Sequence, residues 1–176
     1  MRENKILNEC NIRFLVMDVD GTLTDGKIYM GNDGELFKAF DIKDGYGISL
    51  LLPQQGIVPV VITARESKIV EYRCKELNIK GIHQGTRAKL ECLQHILERY
   101  SSADNVHYTL ANVAYIGDDL LDLQCMHPIK QSGGLTGCPA DAAQSVVDTC
   151  DYISTHKAGD GAVRDFIEHI ILEQNI

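Results

Sequence analysis

Residues Ile12 to Asp25 read IRFLVMDVDGTLTD, an apolar run that stops abruptly at two carboxylates, Asp18 and Asp20. A short apolar run bounded by Asp and Gly suits a central strand of a parallel sheet, where both faces are covered. Two carboxylates so close at a strand end repel one another unless a cation or a proton sits between them. A hard divalent ion is implied, most simply Mg2+, which binds one or two carboxylates together with carbonyl and water oxygens. Gly21 then lets the chain turn tightly and expose nearby amides to an anion, while Thr22 and Thr24 can satisfy the loop internally. Alone, a D-x-D also suits a solvated turn. Its position at the end of an apolar strand favours chemistry.

Composition bounds the remaining possibilities. A chain of 176 residues with 44% hydrophobic content makes one domain, 1–176, with a sizeable core. The net charge of −8, from 17 basic and 25 acidic residues, and the lack of a basic patch argue against a nucleic-acid partner. No stretch approaches a membrane span, and the polar start MRENKILNEC lacks the apolar region of a signal peptide, so a cytoplasmic location is expected. Cysteines at 10, 74, 92, 125, 138 and 150 form no framework and read as reduced, mostly buried thiols. The six histidines show no zinc-type spacing.

Along the chain, segments 27–30 and 35–40 flank the turn Gly31-Asn32-Asp33-Gly34 and read as a hairpin with apolar side chains on both faces. Such a ribbon is unstable alone and is expected to pack against copies of itself. Asp44 can cap a helix over 45–54 that Gly56 stops. Strands are expected at 58–63, 81–84, 113–116, 135–138 and 152–153. Helices are expected at 67–77, 88–100, 120–126, 140–147 and 162–172, and SSADN at 101–105 is the most loop-like stretch. This alternation gives an α/β fold, a doubly wound, Rossmann-like parallel sheet with helices on both faces and a protruding β-hairpin. Ligands of such sheets bind beyond the carboxyl ends of the strands.

Three further motifs fall at those ends. Thr63 closes the strand VPVVIT, where its hydroxyl suits a phosphoryl oxygen or a helix cap equally well. Lys89 stands at a helix start, a position that attracts anions but also suits a solvated charge. Asp118, Asp119 and Asp122 of GDDLLD follow the strand VAYI; acids so placed beside buried structure need a cation, and Asp118 is the expected ligand.

The order DxDGT, strand-Thr, Lys, GDDxxD resembles the four motifs of the haloacid dehalogenase superfamily of phosphotransferases across nearly the whole chain. The resemblance implies that Asp18 is the nucleophile that forms an aspartyl phosphate and also a Mg2+ ligand. It implies that Asp20 is the general acid and base, its backbone carbonyl completing a metal site with Asp118. Thr63 and Lys89 would hold the phosphoryl group, and Asp122, with Asp119 nearby, would support Lys89 or metal-bound water. Larger members insert a cap domain; about 25 residues between Thr63 and Lys89 leave room for one crossover helix and no cap.

Within that superfamily, DGKIYMGNDGELFKAFDIKDGYGI, ITARxSKIVEYRCKEL and AGDGAVRDFI resemble the 3-deoxy-D-manno-octulosonate 8-phosphate phosphatases. The resemblance implies a homotetramer built through the hairpin, a small-molecule sugar acid phosphate as substrate, and contacts to the sugar acid from Arg65 and Arg73. Both arginines also suit surface pairing with Glu66, Glu71 or Glu76. Related phosphatases of nine-carbon keto acids tend to carry Glu where Arg65 stands, so Arg65 favours the eight-carbon ester. Ala64 departs from the family's Gly, and 100–110 is longer and more polar than the family pattern. Gly159-Asp160-Gly161 with Arg164 suits either a segment that closes on substrate or a plain turn before the last helix. Two other classes compete: a non-catalytic assembly module of the kind found in sialic-acid-activating enzymes, and a receiver-type signalling domain. The first would be free to lose the motif residues, and the second would keep its aspartyl phosphate.

Overall fold

A computed structural model describes residues 12–174; the polar start and Cys10 lie outside the described residues. The apolar run forms β1 (Phe14–Met17), buried at every position. A hairpin of β2 (Tyr29–Gly31) and β3 (Gly34–Phe37) follows. The remaining strands are β4 (Val58–Ile62), β5 (Gly81–His83), β6 (Val113–Ile116), β7 (Leu135–Cys138) and β8 (Tyr152–Ile153). Apart from the hairpin they join β1 in one six-stranded sheet of order β5-β4-β1-β6-β7-β8, parallel at every pairing.

This order decides where chemistry can sit. The chain builds outward from β1 through β4 to β5, then returns to the other side of β1 for β6, β7 and β8. Connections therefore diverge between β1 and β6, leaving a crevice beyond their carboxyl ends, the usual ligand site of a doubly wound sheet. Register pairs Met17 with Ile116, so Asp18 and Gly117 leave the sheet side by side.

Side-chain alternation along the strands divides the core into two layers. Leu15, Met17, Val61, Ala114 and Ile116 face Ile48, Leu52, Val70, Phe166 and Ile170. Phe14, Val16, Val60, Ile62 and Tyr115 face Leu93, Ile96, Met126 and Ile129. The first layer is covered by α1 (Ile42–Tyr46), a π-helical turn at Gly47–Leu51, α2 (Leu52–Gln54), α3 (Lys68–Glu76) and α7 (Ala162–Gln174). The second lies under α4 (Lys89–Asp104), α5 (Leu123–Gln131) and α6 (Gln144–Val147). Among the described residues no helix is long and apolar enough to cross a membrane.

Several boundaries differ from the sequence reading, each for a local reason. The N-cap of α1 is Asp41, not Asp44, because its carboxylate accepts the amides of Lys43 and Asp44. Asp44 caps a different helix: its Oδ1 accepts the Arg164 amide in the first turn of α7, at 2.7 Å. Residues 101–104 are helical, and α4 ends at Asn105, whose φ of 53° is left-handed. The packing of Tyr100 and Tyr108 edge-on against Phe14, each at 5.1 Å, extends ordered structure through the expected loop. Helix α5 starts at Leu123 rather than Leu120, because residues 117–122 wrap around the Asp122 carboxylate, and it runs past Pro128 to keep Ile129 in the core. Helix α6 is shorter than expected: the Ala143 amide instead donates to the Asp118 carbonyl at 2.8 Å.

The hairpin strands are also shorter than expected, and residues 38–40 leave the ribbon. Ile28, Met30, Leu36 and Phe37 are solvent-exposed, whereas Phe40 packs on the core. The five described cysteines are free thiols, with Cys74, Cys125 and Cys138 buried. They are less scattered than their spacing suggests, since the sulfurs of Cys138 and Cys150 lie 3.2 Å apart.

Asp44 gives this fold a pH signature. Burial, with repulsion from Asp41 and Asp160 adding to it against the Arg164 amide, raises its pKa to about 6, and its Oδ2 has no hydrogen-bond partner. A carboxyl whose folded pKa lies above its unfolded value stabilises the fold when protonated, and that stabilisation is lost as pH rises from about 4 to about 6. Asp44→Asn, which keeps an acceptor for the Arg164 amide, is expected to stabilise the protein by about 1–3 kcal/mol at pH 7.5. The gain should vanish near pH 4, as read from urea denaturation at both values.

Candidate active site

The crevice between β1 and β6 brings together Asp18, Lys89, Asp118 and Asp122. Asp18 follows β1, Thr63 follows β4, Lys89 opens α4, and the acidic loop 117–122 follows β6. Lys89 is almost fully buried, and its Nζ lies 2.8 Å from Asp18 Oδ1 and 2.7 Å from Asp122 Oδ1. Oxygen atoms of Asp18, Asp118 and Asp122 lie within 4.8 Å of one another. Lys89 is therefore no surface charge: it is the one cation set directly against this cluster among the described residues.

Asp122 is already fully engaged. Its Oδ1 accepts from Lys89 and from the Tyr115 hydroxyl at 2.7 Å, and its Oδ2 accepts from the amides of Asp118 and Asp119. Such a carboxylate holds its donors in place and has little left for a metal. Asp18 and Asp118 are the freer pair. Burial raises the Asp18 pKa to about 6, with repulsion from Asp122 adding to it and Lys89 opposing it. Burial, then the charges of Asp18 and Asp122, raises that of Asp118 to about 7, although the Thr22 hydroxyl donates to it at 3.0 Å. Lys89 shows the complementary shift: burial opposes its charge, but Asp18 and Asp122 outweigh burial and hold its pKa above the ordinary value. Burial, reinforced by Asp122, likewise keeps the Tyr115 phenol protonated.

The cluster fits a hard divalent cation. With all groups ionised, the carboxylates of Asp18, Asp118 and Asp122 against one ammonium leave an excess of two negative charges in a buried crevice. The donor set is all oxygen, as Mg2+ requires. Glycines keep the space clear. A Cβ at Gly21, where φ is +94°, would collide with the Asp118 carboxylate, and one at Gly117 with that of Asp122.

Other sequence-predicted residues divide into those near this centre and those apart from it. Asp20 is half-buried and faces Lys38 and, at 4.0 Å, Arg65. Thr63 is buried at the end of β4, next to β1. Asp119 is exposed; its carboxylate accepts the Leu120 amide. Arg73 does not join the cluster: it pairs with Glu76 at 2.9 Å, reaches the Asp41 carbonyl and lies over the Phe40 ring. Around Gly159 the chain packs as a turn whose amide donates to the Thr22 carbonyl, and Arg164 pairs with Glu168 and stacks on Tyr46. Sequence reasoning missed Lys38, Glu35 and Tyr115. A lysine between two hydrophobic residues, in FKAF, is the only signal that could have marked the first.

No protein-family model matches the chain. The 3-deoxy-D-manno-octulosonate 8-phosphate phosphatase of Escherichia coli strain K12 is 42% identical over 164 residues, covering 93% of this chain and 81% of the relative. That of Yersinia pestis is 38% identical over 173 residues, covering 98% and 87%. The Moraxella catarrhalis phosphatase of the same name, solved with magnesium, phosphate and the sugar acid, superposes with a TM-score of 0.81 at 37% identity, over 94% of this chain and 88% of that one. The cobalt-bound Haemophilus influenzae protein gives a TM-score of 0.81 at 32% identity, over 94% and 91%. The chain belongs to the 3-deoxy-D-manno-octulosonate 8-phosphate phosphatase family of the haloacid dehalogenase superfamily.

Proposed function

We propose that this protein is a Mg2+-dependent phosphomonoesterase that hydrolyses 3-deoxy-D-manno-octulosonate 8-phosphate to the free sugar acid and phosphate. The observation that carries the reading is the convergence of Asp18, Asp118 and buried Lys89 at the switch point of the sheet. Family membership supports the substrate, and the ligands solved with the Moraxella catarrhalis relative support the metal.

In this reading Asp18 attacks phosphorus and forms an aspartyl phosphate while Asp20 gives a proton to the departing sugar oxygen. Asp20 then takes a proton from the water that attacks phosphorus, and Asp18 is released. Lys89, held by Asp122, and Thr63 hold the phosphoryl oxygens; positioning and charge neutralisation are most of what phosphoryl transfer needs. Mg2+, bound by Asp18, Asp118 and the Asp20 carbonyl, supplies positive charge against the phosphoryl oxygens. The Arg65 side chain is 38% exposed and can meet the substrate carboxylate.

Arg73 is engaged within its own chain, and family membership favours a neighbouring subunit that helps complete the site. We place that neighbour in a homotetramer formed through the hairpin, whose exposed Ile28, Met30, Leu36 and Phe37 favour burial against a second copy. The compartment assigned is the cytoplasm, in keeping with the free thiols.

Three outcomes are expected. In metal-free protein Asp18 and Asp118 keep protons up to about pH 6 and 7, so their contribution to stability falls as pH rises through those values. Mg2+ must displace the protons; the rise in melting temperature on adding it should be largest at pH 8 and small at pH 5.5, and a pH-independent rise would contradict the assignment. Phosphate release should favour the eight-carbon ester over its nine-carbon homologue and disappear in Asp18→Asn. Preference for the nine-carbon ester would overturn the substrate alone. Lys89→Ala should lower kcat by about 10²–10³-fold on loss of a buried donor to the transferring group.

A further inference from the structure

Asp20 is one corner of a closed ring of alternating charges that the four family motifs do not include. Lys38 Nζ contacts Asp20 Oδ1 and lies 2.9 Å from Glu35 Oε1. Arg65 reaches the same Glu35 oxygen at 3.4 Å and stands 4.0 Å from the other Asp20 oxygen. Glu35 is itself fixed by the hydroxyl of Ser67, the residue that caps α3. The two cations are not equivalent. The Lys38 side chain is 2% exposed, against 38% for Arg65. Arg65 can turn to a ligand, whereas Lys38 is enclosed between two carboxylates. A buried ammonium so paired is expensive to move, because parted from its carboxylates it would be a desolvated charge.

We propose that Lys38, held by Glu35, is a positioning residue for Asp20: it fixes the direction of that carboxylate toward the leaving oxygen of the substrate. The proposal rests on the reading above in which Asp20 exchanges the proton. Besides Lys38, only the more exposed Arg65, at 4.0 Å, is paired with the half-buried Asp20 carboxylate among the described ion pairs, and misplacing a proton donor by about 1 Å can cost 10²-fold. Lys38 and Glu35 both come from the hairpin and the residue following it, so the same element that presents an apolar surface to another copy also aims Asp20.

Leaving-group dependence tests this. An alkyl ester such as the sugar acid phosphate needs a proton on its departing oxygen, whereas p-nitrophenyl phosphate loses a phenolate that needs none. Lys38→Met is expected to lower kcat/KM for the alkyl ester about 10–100-fold, mainly in kcat, and that for the aryl ester less than about 3-fold. Adding Lys38→Met to Asp20→Asn should cause no further loss on the alkyl ester. Glu35→Gln should give the same selectivity at smaller size, and supplies the test if Lys38→Met does not fold. Equal losses on both esters, no loss on the alkyl ester, or additivity with Asp20→Asn would overturn the proposal alone. Wild-type protein inactive on both esters would overturn the phosphatase reading as well.

Discussion

The buried pairing of Lys89 with Asp18 and Asp122 is the constraint on which the rest of the structure depends. Taking three such charges out of water is unfavourable unless their mutual attraction and hydrogen bonds compensate. Asp122 meets that condition with four donors, and Lys89 with two carboxylates. Asp18 and Asp118 do not, and burial beside other carboxylates raises the pKa of both. The molecule thus holds a rigid half, which fixes an ammonium, beside an under-neutralised half suited to a divalent cation and an anionic ligand.

The fold serves this arrangement by bringing distant parts of the chain to one crevice. Asp18 and Asp118 are adjacent because β1 pairs with β6 across the switch point. The loop after Asp18 is braced by the turn at Gly159, and the loop carrying Asp118 by the Ala143 amide. Asp44 joins the same frame by capping α7 from the other end of the sequence. The site residues are therefore spread over elements that also carry the core, while the hairpin lies outside the main sheet with Ile28, Met30, Leu36 and Phe37 exposed.

What the sequence revealed follows from the range of each interaction. The strand ending at Asp18 was legible because apolar run, carboxylates and Gly21 are contiguous, and GDDLLD was legible for the same reason. Asp41 and Asp44 both carry an N-cap side chain three residues apart, and only the tertiary partner at Arg164 separates their roles. The helical end at 101–104 depends on Tyr100 and Tyr108 meeting Phe14, a contact that no local periodicity encodes. Lys38 escaped notice because its partners depend on how the hairpin folds back over Asp20; Arg73 was legible as a candidate, but its role was not, because local pairing with Glu76 competes with a ligand role.

In the reaction proposed above, Asp18 carries the phosphoryl group between two half-reactions. The most direct measurement is rapid quenching of Asp20→Asn protein with Mg2+ and p-nitrophenyl phosphate, a substrate whose leaving group needs no proton, followed by borohydride reduction and peptide mass mapping. Conversion of residue 18 to homoserine, the product of a reduced aspartyl phosphate, is expected with substrate and not without it. Phosphate release by this variant with residue 18 unmodified at every quench time, or a modified carboxylate elsewhere, would contradict it.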